Sequence, residues 1–144
     1  MTESLPGADE MPVVVVLNRD LMFGSRIRSA LATLGLQVVV KGDTGVFLET
    51  ARALGDRAVI AIIDMNGKVV WDAVASALRE DGALPPVLGF GSHTDVETRR
   101  AAKAAGVDRI VSNGQFHADM VGYVQRYRRD QAAEHGTVGV PPPQ

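Results

Sequence analysis

The sequence predicts an α/β domain: an open, all-parallel five-stranded sheet with helices on both faces, in the doubly wound (βα)5 arrangement. Short β-branched runs alternate with stretches of helical periodicity through most of the chain. The central run, Ala58–Ile63, is apolar at every position, as a strand buried on both faces requires. The 144 residues match one domain in size and contain no visible internal repeat.

The elements follow in order. Val13–Leu17 is the first strand. Phe23, Ile27, Leu31 and Leu34 form one stripe of the first helix, which Gly35 stops. Leu36–Val40 is the second strand, and Thr44–Leu54, containing Phe47 and Leu48, the second helix. Ala58–Ile63 is the third strand, followed by a helix over Trp71–Arg79 and a strand over Val87–Phe90. A helix over Asp95–Ala105 starts on a capping box formed by Thr94 and Glu97 and ends at Gly106. Arg109–Val111 is the last strand. The last helix, Phe116–Arg129, turns Phe116, Met120, Tyr123, Val124 and Tyr127 inward. Right-handed crossovers leave few topologies, and strand order 2-1-3-4-5 is the commonest for this count.

The ends read differently. Residues 1–11 are expected to be a flexible N-terminus, 12–130 the folded domain, and 131–144 a disordered tail. That tail carries His135, Gly136 and Pro141, Pro142 and Pro143; a proline-recognising partner is the alternative use for it.

Composition narrows the function classes. Apolar residues are 46% and charged residues 22%, ordinary for a soluble globular protein. There is no cysteine, which excludes disulfides and thiolate metal sites. No apolar run reaches membrane-spanning length, and the N-terminus lacks a secretory pattern, so a cytoplasmic protein is expected. A net charge of −2 argues against a dedicated nucleic-acid binder.

In such sheets, ligands gather beyond the carboxyl ends of the strands at the topological switch point. The first strand delivers Asn18, Arg19 and Asp20 there; the second, Lys41; the third, Asp64 and Asn66. The fourth delivers Gly91, Ser92 and His93, and the fifth Ser112 and Asn113.

The third strand ending in Asp64, the stretch PPVLGFGS, and AAGVDRIVSNGQF resemble the receiver domain of a bacterial response regulator, a chemotaxis-type, flavodoxin-like fold. The resemblance spans Pro12 to Arg129. DLMFGSRI after the first strand and GFGSHTD after the fourth are similar to a group of short, stand-alone degenerate receivers, or pseudo-receivers. A phosphorylatable receiver implies an acidic pair holding magnesium, an acceptor aspartate, a hydroxyl after strand four and a lysine after strand five. Asp64 stands at the acceptor position. Asn18 and Arg19 replace the acidic pair, Gly91 the hydroxyl and Asn113 the lysine. Asp20 lies one residue beyond the pair and points either into the site or away. Ser92 substitutes for the hydroxyl only with a one-residue shift.

The leading expectation is therefore a non-enzymatic signalling module, without cofactor or metal, acting through protein–protein contact. What the resemblance implies for partners is docking, or homodimerisation, on the face of the fourth helix, fifth strand and fifth helix. There, Ala101, Ala102, Ala104 and Ala105 permit close approach or plain packing. Two alternatives stand beside it: phosphate acceptance by Asp64 at an atypical site, or sensing of a small anion by Arg19, Lys41 and the Ser92 region. Asp64 is more simply read as a structural group that pairs with Arg19 and caps the strand end, and the expected arrangement is a direct Arg19–Asp64 ion pair.

Other residues have plainer readings. His93, before a helix start, is a surface or capping residue rather than a base or phosphohistidine, and His117 and His135 are solvated. Trp71 packs a helix start or, if exposed, anchors a partner, and Arg99, Arg100 and Lys103 form a solvated face rather than a docking patch. No histidine pair has metal-ligand spacing, and no glycine-rich dinucleotide loop is present.

Overall fold

The computed structural model describes residues 11–80 and 84–129. The expectations for residues 1–10 and for the tail, including His135 and the proline run, lie outside the described residues. Met11 is described, and its carbonyl accepts from Arg57 Nε at 3.3 Å.

The strands are β1 (Val13–Leu17), β2 (Gln37–Lys41), β3 (Ala58–Asp64), β4 (Val87–Gly91) and β5 (Arg109–Ser112), all parallel in the order β2-β1-β3-β4-β5. Helices are α1 (Leu21–Ala32), α2 (Thr44–Leu54), α3 (Trp71–Arg79), α4 (Val96–Ala105), α5 (Asn113–Ala118) and α6 (Met120–Tyr127), with a 3-10 turn at Gly55–Arg57.

Strand alternation divides the core into two layers. Val13, Val15, Leu17, Ala61, Ile63 and Met65 face α2, α3 and α4 and pack on Phe47, Val74 and Ala102. Val14, Val16, Ile60 and Ile62 face the other way, onto Phe23, Ile27, Leu31, Phe116 and Val124. The β1–β3 register shifts between Val13 and Val14, which lets Val59 and Ile60 both enter the second layer. Burying each Val or Ile on both sides of the sheet contributes roughly 1.5–3 kcal/mol. The β-branched runs are therefore held in the centre.

Two boundaries differ from expectation for identifiable reasons. The Thr94–Glu97 capping box does not form: Asp95 is the N-cap of α4, accepting from Thr98 N at 3.1 Å and Thr98 Oγ1 at 2.7 Å. Thr94 instead shares a 2.8 Å hydroxyl contact with Ser92. The last helix is broken at Asp119, whose backbone leaves the helical region and whose carboxylate caps α6 by accepting from Gly122 N at 3.1 Å. Of its expected inward stripe, Phe116, Met120 and Val124 are buried, whereas Tyr123 and Tyr127 are half-buried at the margin. Gly106 does end α4, with φ of 102°, a left-handed value that favours glycine. No helix among the described residues is long and apolar enough to cross a membrane.

Candidate functional site

The carboxyl ends of β1, β3 and β5 bring a polar network together at the switch point. Asp64, the last residue of β3, is half-buried and accepts three hydrogen bonds. Asn18 Nδ2 donates to its Oδ2 at 2.7 Å, while Asn66 donates from its backbone N at 2.9 Å and from Nδ2 at 2.8 Å to Oδ1. Asn66 then exchanges bonds with Asn113: its Nδ2 donates to Asn113 Oδ1 at 2.9 Å, and Asn113 Nδ2 donates back at 3.2 Å. Two asparagines thus bond the carboxylate and a third braces one of them, so its hydrogen bonds come from amides rather than from a cation.

Asn113 is placed by the start of α5. Ser112 caps that helix by accepting from Gln115 N at 3.0 Å, and Gln115 Oε1 accepts from Ser112 N at 2.8 Å. This capping box fixes the backbone where β5 gives way to helix, so Asn113 is the first helical residue rather than a loop residue.

The expected Arg19–Asp64 ion pair is not formed. Arg19 is exposed, and its Nε donates to the carbonyl of Gly42 at 2.8 Å, which draws the guanidinium towards the end of β2. The short Asn18 amide takes the place beside Asp64. Successive side chains along a strand point to opposite faces of the sheet, so Asn18 and Arg19 are not expected on the same side of it.

Asp20 is also settled. It is exposed and caps α1, its Oδ1 accepting from Met22 N at 3.0 Å and Phe23 N at 3.2 Å. A carboxylate at a helix N-terminus is favoured there by the exposed amides and the helix dipole. Asp20 still borders the cleft, but with one oxygen engaged.

Gly91 is buried at the end of β4. A Cβ there would stand 3.1 Å from Met65 Cβ and 3.3 Å from Met65 Cε, and one at Gly89 only 2.8 Å from Met65 Sδ. The buried Met65 side chain therefore fills the space over both glycines, where a hydroxyl-bearing side chain would have to lie. Ser92, half-buried, turns to Thr94 and is no substitute, and His93 is exposed.

An open cleft of about 540 Å³ lies over this edge, lined by Asp20, Met22, Phe23, Arg26, Asp64, Asn66, Phe90, Asn113 and His117. Phe90 and Phe116 stack at 4.3 Å, with Phe23 edge-on to Phe90 at 5.3 Å, and His117 lies 4.7 Å from the Phe23 ring. His117 is exposed but not merely solvated: it forms one wall. The sequence reading missed Arg26 and His117 as lining residues. The signal that finds them is the start of α5 at Asn113, which carries His117 towards α1. A second groove of about 240 Å³ holds Asn18, Arg19, Asp20, Gly42, Asp64, Asn66 and Lys68. Neither cleft includes Lys41 or Ser92, so the anion-binding set named from sequence is not assembled at either.

A magnesium ion needs hard oxygen ligands in near-octahedral array. The residues here do not fit one. Asn18 presents its NH2 group to Asp64, and its Oδ1 is sealed from solvent without a partner, on the Gly24 side. Asp64 has about four acceptor positions, three of them taken. Among the described residues no group of three or more His, Cys, Asp or Glu is arranged to hold a metal.

No model of a known protein family and no curated protein matches the sequence. Solved structures do resemble the fold. The chemotaxis protein CheY4 of Vibrio cholerae, crystallised at low pH, superposes with a TM-score of 0.66 at 19% identity, over 81% of this chain and 98% of that one. The signal receiver domain of an HD domain-containing protein from Pseudomonas fluorescens gives 0.71 at 11% identity, over 93% and 98%. The receiver domain of a Pseudomonas aeruginosa sensor histidine kinase, described with magnesium coordinated in its active-site cleft, gives 0.67 at 16%, over 81% and 96%. The molecule is thus a doubly wound α/β domain with its polar cluster at the switch point. More narrowly, its fold is that of CheY-like receiver domains.

Proposed function

We propose that this chain is a receiver-like signalling module that acts through protein–protein contact without metal-dependent phosphorylation. The observation that carries the reading is the amide enclosure of Asp64 by Asn18 and Asn66, braced by Asn113. In phosphoryl transfer the protein's main contribution is to neutralise charge on the transferring group. Here the donor set offers neutral amides, and Met65 occupies the space a reporting hydroxyl needs. The lysine and hydroxyl positions of a phosphate switch carry Asn113 and Gly91 instead. The reading assigns no enzymatic step to the chain and locates it in the cytoplasm.

The test is amide NMR of the full chain with magnesium and beryllofluoride. The expected result is unchanged resonances at Asp64, Asn66 and Gly91. A saturable shift there, abolished by Asp64→Asn, overturns the reading. It would favour the second one, in which Asp64 accepts phosphate at an atypical site; that reading draws on Asp64 bordering both clefts.

A further inference from the structure

We infer that Asn66 is a site of spontaneous deamidation, held back by its hydrogen bonds to Asn113. The chain contains three asparagines, and all three stand at this site: Asn18, Asn66 and Asn113. Two of them are followed directly by glycine, Asn66 by Gly67 and Asn113 by Gly114. That dipeptide is the one most open to succinimide formation, because glycine has no Cβ to hinder attack by its own backbone nitrogen. The inference stands on these residues and contacts and does not rest on the signalling reading above.

The step balances without an enzyme. Solvent hydroxide removes the backbone N–H proton of Gly67, and the nitrogen attacks Cγ of Asn66. The new N–Cγ bond closes a five-membered ring. The Cγ–Nδ2 bond breaks, and Nδ2 takes up a proton and leaves as ammonia. Water then opens the ring at either carbonyl. This leaves aspartate at position 66, or its isoaspartyl isomer with the main chain running through the former side chain. The net change exchanges NH for O.

The fold selects Asn66 over Asn113. Asn66 and Gly67 are exposed in the turn after β3, outside any helix or strand. Asn113 is half-buried and is the first residue of α5, held in helical geometry by the capping box between Ser112 and Gln115. Attack on its Cγ by the Gly114 nitrogen requires leaving that geometry. Asn18 is buried and precedes arginine, whose side chain hinders the same attack.

What restrains Asn66 is its side-chain network. Nδ2 donates to Asp64 Oδ1 at 2.8 Å and to Asn113 Oδ1 at 2.9 Å, and Oδ1 accepts from Asn113 Nδ2 at 3.2 Å. Ring closure turns Cγ onto the Gly67 nitrogen and expels Nδ2, so these bonds must open first. Asn113 supplies two of the three. The product sets a carboxylate beside Asp64 where an amide now donates to it, so like-charge repulsion replaces an attraction. Ammonia is lost to solvent, so the conversion runs one way and the charge of the site records the age of the molecule.

The test incubates the folded full chain in mildly alkaline buffer, beside the same chain in urea. Mass spectrometry follows the exchange of NH for O in each asparagine-containing peptide. Asn66 should convert in the folded chain with Asn113 lagging behind it, whereas in urea the two should convert at similar rates. Asn113→Ala should accelerate Asn66 by roughly two- to tenfold, the factor that one net hydrogen bond is worth. Gly67→Ala should abolish the conversion over the same interval; a Cβ there meets nothing within 4 Å, so the fold tolerates it. Ile27→Val, a core trim of comparable cost in the layer under α1, controls for general loosening and should accelerate Asn66 less than Asn113→Ala does. The inference is overturned if Asn66 stays intact in the folded chain while the urea sample converts, or if Asn113 converts first. It is equally overturned by an unchanged rate in Asn113→Ala or by equal acceleration in Ile27→Val.

Discussion

Asn66 and Asn113, 47 residues apart in sequence, exchange side-chain hydrogen bonds in both directions and so join the end of β3 to the start of α5. Asn113 stands at the position that the receiver resemblance gives to a lysine. Here a neutral amide pair joins the two elements.

That relationship is measurable. A double-mutant cycle with Asn66→Ala and Asn113→Ala is expected to give a coupling of about 0.5–1.5 kcal/mol in urea unfolding, the usual range for net hydrogen-bond energies. Additive effects would show that the pair is incidental.

Asn18→Asp is expected to destabilise the fold at neutral pH. It places a second carboxylate beside Asp64, where the amide now donates at 2.7 Å. Two like charges about 4 Å apart near a protein surface repel by on the order of 4 kcal/mol. The melting temperature should fall, then recover partly on acidification, as one carboxylate takes up a proton, and on adding magnesium. A variant as stable as the parent without the ion would contradict the site geometry.

Gly91→Thr is expected to cost about 1–3 kcal/mol through overpacking against Met65. Met65→Ala alone should cost roughly 2–5 kcal/mol as a core truncation. Together they should cost less than their sum, because the threonine fills space the methionine vacates. Simple additivity would mean that Met65 does not control what β4 can carry.

Arg19→Met is expected to change stability by about 0–1 kcal/mol, as for an exposed residue bonded to a surface carbonyl. Its coupling to Asp64→Asn should stay within roughly 0.5 kcal/mol of zero. A large coupling would restore the direct ion pair that the sequence suggested.

Asp95 supplies a pH dependence. Hydrogen bonds from the Thr98 side chain, then from the Thr98 backbone, hold its carboxyl below the ordinary value of 3.8. A depressed acid stabilises the fold above its unfolded value and loses that contribution as pH falls through the folded one. Acid unfolding of Thr98→Val should therefore differ from the parent chiefly by lacking part of this loss below about pH 4. Parallel acid profiles would contradict the assignment.

The sequence by itself determined the layers. The β-branched runs at Val13–Leu17 and Ala58–Ile63 can satisfy burial on both faces only as central parallel strands, and the helical stripes between them dictate crossovers. Handedness leaves few strand orders, of which the observed one is the commonest for five strands, and that order gathers the polar residues at the strand ends. That is why Asp64, Asn18, Asn66 and Asn113 were legible as one neighbourhood before any contact was known.

Which of them touch was decided only by tertiary structure. Arg19 and Asn18 are adjacent in sequence, and charge alone favours the arginine as the partner of Asp64. Strand alternation gives that place to the amide, while the Gly42 carbonyl captures the guanidinium. Asp20 and Asp95 became helix caps because exposed amides at a helix start compete for the nearest carboxylate. The role of Met65 over Gly91 depends on how two neighbouring strands pack side by side. Periodicity reports which face a residue occupies, but the partner it meets there depends on distances that only the folded chain sets.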